Sequence, residues 1–475
     1  MTVAPPLWTS ADADAATGGY STQPWQASGV SIDSRTVRPG DLFVAIKGPK
    51  VDAHEFVAEA LARGGAAAMV SRIPRGLPEG APLLIAGDTF TGLNDLARAA
   101  RKRAHAHIIA VTGSVGKTGT KAALKLALAG QGRTAANAGS LNNQWGVPLS
   151  LSRMPKDAAY GVFEIGMNDA GEIVPLSRLA RAHTAIVTTV EGVHTAFFKS
   201  VDEIAAAKAE IFVGMDGGTA ILNRDNAYFD TLADAARAGG VDRIVGFGMA
   251  EAAEARLIDY VPEPGASRLA VDIEGRRITY RLGVPGRHWA INSLAVLAAV
   301  RAAGADVEAA AAALEAMQAP KGRGERHIVP LAGGSFTLLD ESYNASPVSM
   351  GAAFEVLATA PTGAGGRRIA VLGDMLELGP DSPRLHASLA GDLIKAGIDL
   401  VCTAGRDMVH LQDALPRLMR GGHACKAEDL APLVRTLVKP GDVVAVKGSQ
   451  ASRMACIVDA LLSAGSAPRS AVNEN

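Results

Sequence analysis

Two glycines followed by a lysine and a threonine, in Thr112-Gly113-Ser114-Val115-Gly116-Lys117-Thr118, have the spacing of a phosphate-binding loop. Glycines at 113 and 116 let backbone N–H groups turn inward on a polyphosphate, which would also lie at the positive end of a following helix. Lys117 then reaches the outer phosphates, and the Thr118 hydroxyl is placed to hold Mg2+. ATP is the expected ligand. The general pattern asks for a further glycine where Val111 stands, so the match is to the short form Thr-Gly-x-x-Gly-Lys-Thr.

Other residues gather around this loop by type. Glu164 interrupts the apolar run Phe163-Glu164-Ile165, where an unpaired carboxylate would be costly to bury, so it needs a cation: Mg2+ or a structural ion-pair partner. Asn142 and Asn143 stand in a polar, glycine-containing loop, and His194 follows another apolar run. A lone loop histidine reads equally well as a surface residue. Lys208, in Ile204-Ala205-Ala206-Ala207-Lys208-Ala209-Glu210-Ile211-Phe212, reads by itself as a snorkelling surface lysine. Near the N-terminus, Ser34, Arg35, Thr36 and Lys47 lie around tight turns and suit a diphosphate or sugar, although Asp33 and Arg35 read equally as a solvated pair.

These residues need elements to hold them. The apolar run His107 to Val111 leads into the glycine loop as a buried strand, and Gly119 to Leu126 leads out with helical periodicity. From about 106, apolar runs at 107–112, 160–166, 184–190, 219–223 and 243–247 alternate with helical stretches, the rhythm of a mostly parallel sheet with helices on both faces. Ligands in such sheets gather at the carboxyl ends of the strands. A hairpin across Glu274-Gly275 follows, then helices at 286–303 and 306–317. The stretch 318–326 breaks the pattern with proline, glycine and charge, as a hinge would. Beyond it, strands at 336–340, 368–373, 399–403 and 442–446 and helices at 347–359, 384–396, 407–415 and 453–463 form a second α/β unit. Before residue 105 the chain shows short strand-like runs and one clear helix, Phe56 to Gly64. The expected fold class is α/β in three domains: a small N-terminal α/β domain at 1–105, a central P-loop domain at 106–318, and a Rossmann-like domain at 319–475.

Composition agrees with an enzyme acting on small molecules. At 475 residues the chain exceeds one ordinary core, and about two to four domains are expected. A net charge of −1 and the lack of a basic block give no electrostatic footprint for nucleic acid or an anionic membrane. Cys402, Cys425 and Cys456 are too few and too dispersed for a disulfide framework or a zinc site, which fits a reducing cytoplasm. No secretion signal or bilayer-spanning run is expected, and a monomer is.

Taken together, the phosphate loop, Leu141-Asn142-Asn143, Glu164-Ile165-Gly166, His194, Lys208 to Phe212, Gly286-Arg287-His288 with Asn292, and Asp340-Glu341-Ser342-Tyr343-Asn344-Ala345 with Leu372-Gly373-Asp374-Met375-Leu376-Glu377-Leu378-Gly379 resemble the Mur ligases of cell-wall precursor synthesis. The last two motifs resemble members that join D-alanyl-D-alanine to UDP-N-acetylmuramoyl-tripeptide. The resemblance implies an ATP-dependent carboxylate-amine ligase working through an acyl phosphate. It implies Mg2+ on Thr118 and Glu164, with a second Mg2+ on Glu164, His194 and a carbamylated Lys208. It also implies adenine contact by Asn292, closing contacts to ATP by Arg323 and Asp340, and substrate contacts by Ser34, Arg35, Thr36, Lys47, Asn142, Asn143, Tyr343, Asn344, Asp374 and Lys447. The family's usual motifs differ here at Glu341 and Ser346 and at Ala53. Another Mur-type amino-acid ligase, a ligase like folylpolyglutamate synthase, an enzyme that lacks a comparable N-terminal domain, and a nucleotide-gated binding protein are the competing readings.

Overall fold

The computed structural model describes residues 5–192 and 198–464. Besides a two-stranded antiparallel pairing of Trp8–Thr9 with Gln26–Ala27, three larger sheets packed with helices follow one another along the described chain. The first has five strands, in the order Tyr20–Ser21, Leu83–Ile85, Ala67–Val70, Asp41–Val44 and Gly29–Ser31, parallel except at the Tyr20 edge. Where one clear helix was expected, there are three: Ser10–Thr17, Val57–Ala62 and Thr89–Arg103. The last of these faces two cores. Its Leu93, Leu96 and Ala100 pack with Leu42, Val44 and Met69 of the first sheet, while Ala97 joins the core beneath the central one.

The central sheet has nine strands. From one edge it runs Thr134–Ala136, Tyr160–Glu164, His107–Thr112, Thr184–Val187, Thr219–Asn223, Arg243–Gly248 and Ala255–Glu263, all parallel. Ala266–Ile273 and Arg276–Leu282 then extend it antiparallel. The expected hairpin is there, with Glu274 and Gly275 both at positive φ, but it is the outer part of a three-stranded extension. Continuous apolar strands such as Ile108-Ile109-Ala110-Val111 are explained by cover on both faces. Helices Lys117–Ala129, Arg287–Ala302 and Val307–Ala313 cover one side, and Gly146–Ser152, Ile173–Ala180, Val201–Ala209 and Phe229–Ala238 the other.

The third sheet runs Glu325–Leu331, Gly334–Glu341, Val443–Lys447, Arg368–Gly373, Leu400–Ala404 and Arg420–Ala424, with only the first pair antiparallel. Helices Pro347–Thr359, Ser382–Lys395 and Met408–Ala414 pack on one face, and Ala427–Leu437 and Ala455–Ala464 on the other. No helix among the described residues is long and apolar enough to cross a membrane.

Candidate active site

Strand His107–Thr112 lies between Tyr160–Glu164 and Thr184–Val187, so the connections after it diverge to opposite sides and leave a crevice at its carboxyl end. The glycine loop lies in that crevice and leads into helix Lys117–Ala129. Gly113 has φ +141°, and a side-chain carbon there would fall 1.9 Å from Thr188 Oγ1. Gly116 has φ +87°, and its added carbon would fall 2.8 Å from Asn292 Nδ2. Both positions therefore require glycine. Val111, where the longer pattern has glycine, is a buried strand residue opposite Glu164 and Ile186. Thr112 ends the strand, fully buried. The Thr188 hydroxyl donates to Val115 O at 2.5 Å, and Ser114 Oγ donates to Glu191 O at 3.1 Å and accepts from Glu191 N–H at 2.9 Å. Lys117 Nζ donates to Gly113 O at 2.7 Å. Loss of water pushes its ammonium below the ordinary lysine value, and the Glu164 charge opposes that shift.

Glu164 is 1 % exposed and held on every side. Its Oε2 accepts the Thr118 hydroxyl at 2.9 Å and lies 3.3 Å from Lys121 Nζ, while Oε1 accepts Asn142 Nδ2 at 2.8 Å. Asn137 clamps its backbone, accepting Glu164 N–H and donating to Glu164 O, both at 3.0 Å. The ion-pair partner left open by the sequence is thus Lys121, a residue the sequence reading did not single out. Its signal was its place one helical turn beyond Lys117, on the buried face that carries Thr118. A carboxylate and a hydroxyl converging beside a phosphate loop are hard oxygen donors, and they fit Mg2+.

Lys208 corrects the reading of a solvated side chain. It is 1 % exposed, and its Nζ lies 3.7 Å from Met167 Sδ. Helix Val201–Ala209 turns it to the same buried face as Ile204 and Ala205. Burial pushes the Lys208 ammonium well below the ordinary lysine value, and the charge of Lys117 adds to the shift. His194 lies outside the described residues.

A cavity of about 980 Å3 opens between the central and third sheets. Its central wall includes Ser114 to Thr118, Asn142, Asn143, Glu164 and Asn292, and its far wall Arg323, Tyr343, Asn344 and Lys447. The Arg323 guanidinium stacks 4.0 Å over the Tyr343 ring, and Lys447 Nζ donates to Asn344 O at 2.9 Å. Glu341 Oε2 lies 3.3 Å from the same ammonium, and Ser346 caps helix Pro347–Thr359. His288 also lines the cavity, and burial, then the nearby Lys447 charge, pull its imidazole down to about 4. Asn143 faces the cavity while its Oδ1 accepts the N–H groups of Trp145 at 3.2 Å and Gly146 at 2.9 Å, where helix Gly146–Ser152 begins.

Several expected site residues are not among those lining this cavity. Asp340 is buried, and its Oδ1 accepts Ser342 N–H at 3.0 Å and Ser342 Oγ at 2.6 Å. Asp374 accepts N–H bonds from Arg406 and Met408, both at 2.9 Å, and so secures the start of helix Met408–Ala414. Ser34, Arg35, Thr36 and Lys47 belong to the turns of the first sheet. Arg35 there is 81 % exposed and grips Asp33 with two bonds of 2.9 and 2.8 Å, the solvated pair that the sequence left open. Ala53 opens a short 3-10 turn capped by Asp52 and has no positive φ, so glycine is not required there.

Comparison with known proteins agrees with this arrangement. Residues 26–101 match the model of the Mur ligase family, catalytic domain; residues 111–300 that of the Mur ligase middle domain; and residues 322–450 that of the Mur ligase, glutamate ligase domain. The UDP-N-acetylmuramoyl-tripeptide–D-alanyl-D-alanine ligase of Rickettsia prowazekii is 31% identical over 454 residues, covering 95% of this chain and 99% of that relative. The Escherichia coli enzyme of the same name is 35% identical, covering 91% and 93%. Among solved structures, MurF from Acinetobacter baumannii superposes with a TM-score of 0.82 at 28% identity, covering 96% of this chain and 99% of that one. MurF ligase from Thermotoga maritima in complex with ADP gives 0.75 at 25% identity, covering 92% and 98%. The chain belongs to the Mur ligase family.

Proposed function

We propose that this chain joins D-alanyl-D-alanine to UDP-N-acetylmuramoyl-tripeptide at the expense of ATP, in the making of peptidoglycan precursor. One observation supports this most: a phosphate loop with a buried carboxylate forms one wall of a cavity whose other wall presents Arg323, Tyr343, Asn344 and Lys447. A terminal carboxylate of the tripeptide attacks the γ-phosphorus of ATP, and ADP leaves. The amine of the dipeptide then attacks the acyl carbon, loses a proton, and expels phosphate. The first step brings two anions together, and the second expels one. Lys117 and the loop N–H groups would stabilise charge as it spreads over the transferring phosphoryl group.

In this reading Thr118 and Glu164 hold Mg2+, which when bound neutralises phosphate charge and aligns the reacting oxygens. Lys208, together with Glu164 and His194, serves a second ion. For that, its neutral amine adds to CO2 and loses a proton, turning a cation into an anionic oxygen donor. Burial of Lys208 supports this step because only the neutral amine reacts. Asn292, beside Gly116, would contact adenine. Arg323 and Asp340 would complete the ATP site from the third domain, Asp340 after leaving Ser342. Ser34, Arg35, Thr36 and Lys47 would hold the UDP end; Asn142, Asn143, Tyr343, Asn344, Asp374 and Lys447 would bind the peptide and dipeptide. The chain divides on this account at about residues 105 and 318.

Phosphate release by the purified protein tests the assignment. With ATP, Mg2+ and UDP-N-acetylmuramoyl-tripeptide, turnover is expected on adding D-alanyl-D-alanine and not on adding single amino acids or a folate substrate. Turnover with a single amino acid and none with the dipeptide would overturn it, as would strong ATP hydrolysis indifferent to any acceptor.

A further inference from the structure

The loop after strand Gly334–Glu341 of the third sheet touches the loop after strand Thr134–Ala136 of the central one through a hydroxyl pair: Tyr343 Oη donates to Ser140 Oγ at 2.7 Å. Ser140 belongs to the segment 137–143, and that segment holds Glu164. Asn137 clamps the Glu164 backbone, Asn142 Nδ2 binds Glu164 Oε1 at 2.8 Å, and Asn142 O accepts Gly166 N–H at 2.8 Å. Lys121 joins the same group, donating to Gly139 O and lying 3.3 Å from Glu164 Oε2. The segment is also braced internally, by Asn142 N–H to Ser140 O at 2.8 Å and Asn137 Nδ2 to Leu141 O at 2.8 Å. A tug on Ser140 therefore has few places to go except the side chains that orient the carboxylate.

The Tyr343 end is braced as well. Its N–H donates to Gly322 O at 3.0 Å, and Arg323 covers its ring at 4.0 Å, so its position follows the junction between the central and third domains. A hydroxyl–hydroxyl bond at the edge of solvent adds little net stability, because either partner can bond water instead. What it does fix is relative position.

We infer that Tyr343 is a positioning residue: through Ser140 and the 137–143 segment, docking of the third domain sets the orientation of Glu164. The metal-binding carboxylate is then correctly aimed only when the domain that completes the site is in place. The inference rests on Glu164 being a Mg2+ ligand in the proposed reaction.

Tyr343→Phe removes the hydroxyl and keeps the ring under Arg323; Ser140→Ala removes the other half of the bond. Each is expected to lower kcat by about tenfold, since small misplacements of catalytic groups are costly, while KM for ATP changes less than about twofold. The double variant should be no slower than either single one, because both cut one connection. A second readout is independent of turnover: the affinity for Mn2+, used in place of Mg2+ with a non-hydrolysable ATP analogue, should fall several-fold in both variants. Multiplying kcat losses in the double variant, or a Ser140→Ala protein with full activity, would overturn the inference, since Tyr343 would then act on substrate directly. Unchanged Mn2+ affinity in both variants would also overturn it. If the wild-type protein binds Mn2+ with the analogue but never turns over the tripeptide, the functional reading fails while the metal-affinity test of this connection still stands.

Discussion

Lys208 Nζ lies 3.7 Å from the sulfur of Met167, a lysine end buried against an uncharged neighbour and within reach of the charge of Lys117 in the phosphate loop. Burying an ammonium this way costs stability, so the position is better explained by chemistry than by folding. Lys208→Ala is expected to reduce phosphate release by at least about a thousandfold while the protein still melts cooperatively at or above the wild-type temperature. Formate or acetate, which can occupy the vacated space as an oxygen donor, should restore part of the activity. A fully active Lys208→Ala protein would refute the ligand role.

Gly119 and Trp289 are fitted to each other. A side-chain carbon at 119 would fall 2.6 Å from two carbons of the Trp289 ring, which lines the cavity three residues before Asn292. Gly119→Val should therefore displace the indole, weaken nucleotide binding and cost roughly 1–3 kcal/mol of stability, the usual penalty of overpacking. Adding Trp289→Ala to Gly119→Val should recover a good part of that stability. Titration with ADP and thermal melts would show it, and losses that simply add would contradict the fit.

Acid should loosen the base of the central sheet through His107. Burial, then the neighbouring charges of His183 and Arg101, hold its imidazole down to about 4, and its Nε2 lies 2.9 Å from Thr184 Oγ1. The unfolded chain takes up this proton near pH 6.5, whereas the folded chain resists until about 4. Between those values the unfolded state binds more protons, so stability present above pH 6.5 is lost as pH falls through the window. The loss is on the order of 1–2 kcal/mol after allowance for partial solvent screening. His107→Gln should flatten this part of the curve of unfolding free energy against pH, and an unchanged slope would assign the proton uptake elsewhere.

Local pattern explains how much of this molecule could be read from its sequence. Glycines 113 and 116 with Lys117 and Thr118 form a self-contained unit between a buried strand and a helix, and the parallel core around it announces itself as continuous apolar runs. Edge elements do not. Strand Glu325–Leu331 contains His327 and Pro330, and Arg420–Ala424 contains two glycines; both are tolerated because they pair on one side only. Helix Ala427–Leu437 was hidden by Pro432 in its interior, and Thr89–Arg103 by its glycine and closing basic run. Burial of Lys208 and the pairing of Lys121 with Glu164 depend on which helix face meets which sheet. An alanine-rich window shows no such preference, because nearly every face of it is small and apolar.

The acyl-phosphate claim is tested most directly with oxygen isotopes. UDP-N-acetylmuramoyl-tripeptide carrying 18O in both oxygens of its reacting carboxylate would be incubated with ATP, Mg2+ and D-alanyl-D-alanine, and the released phosphate analysed by mass. Attack of that carboxylate on the γ-phosphorus predicts that each phosphate carries one 18O and that the new amide keeps the other. Phosphate free of 18O, released at the rate of amide formation, would contradict the mechanism.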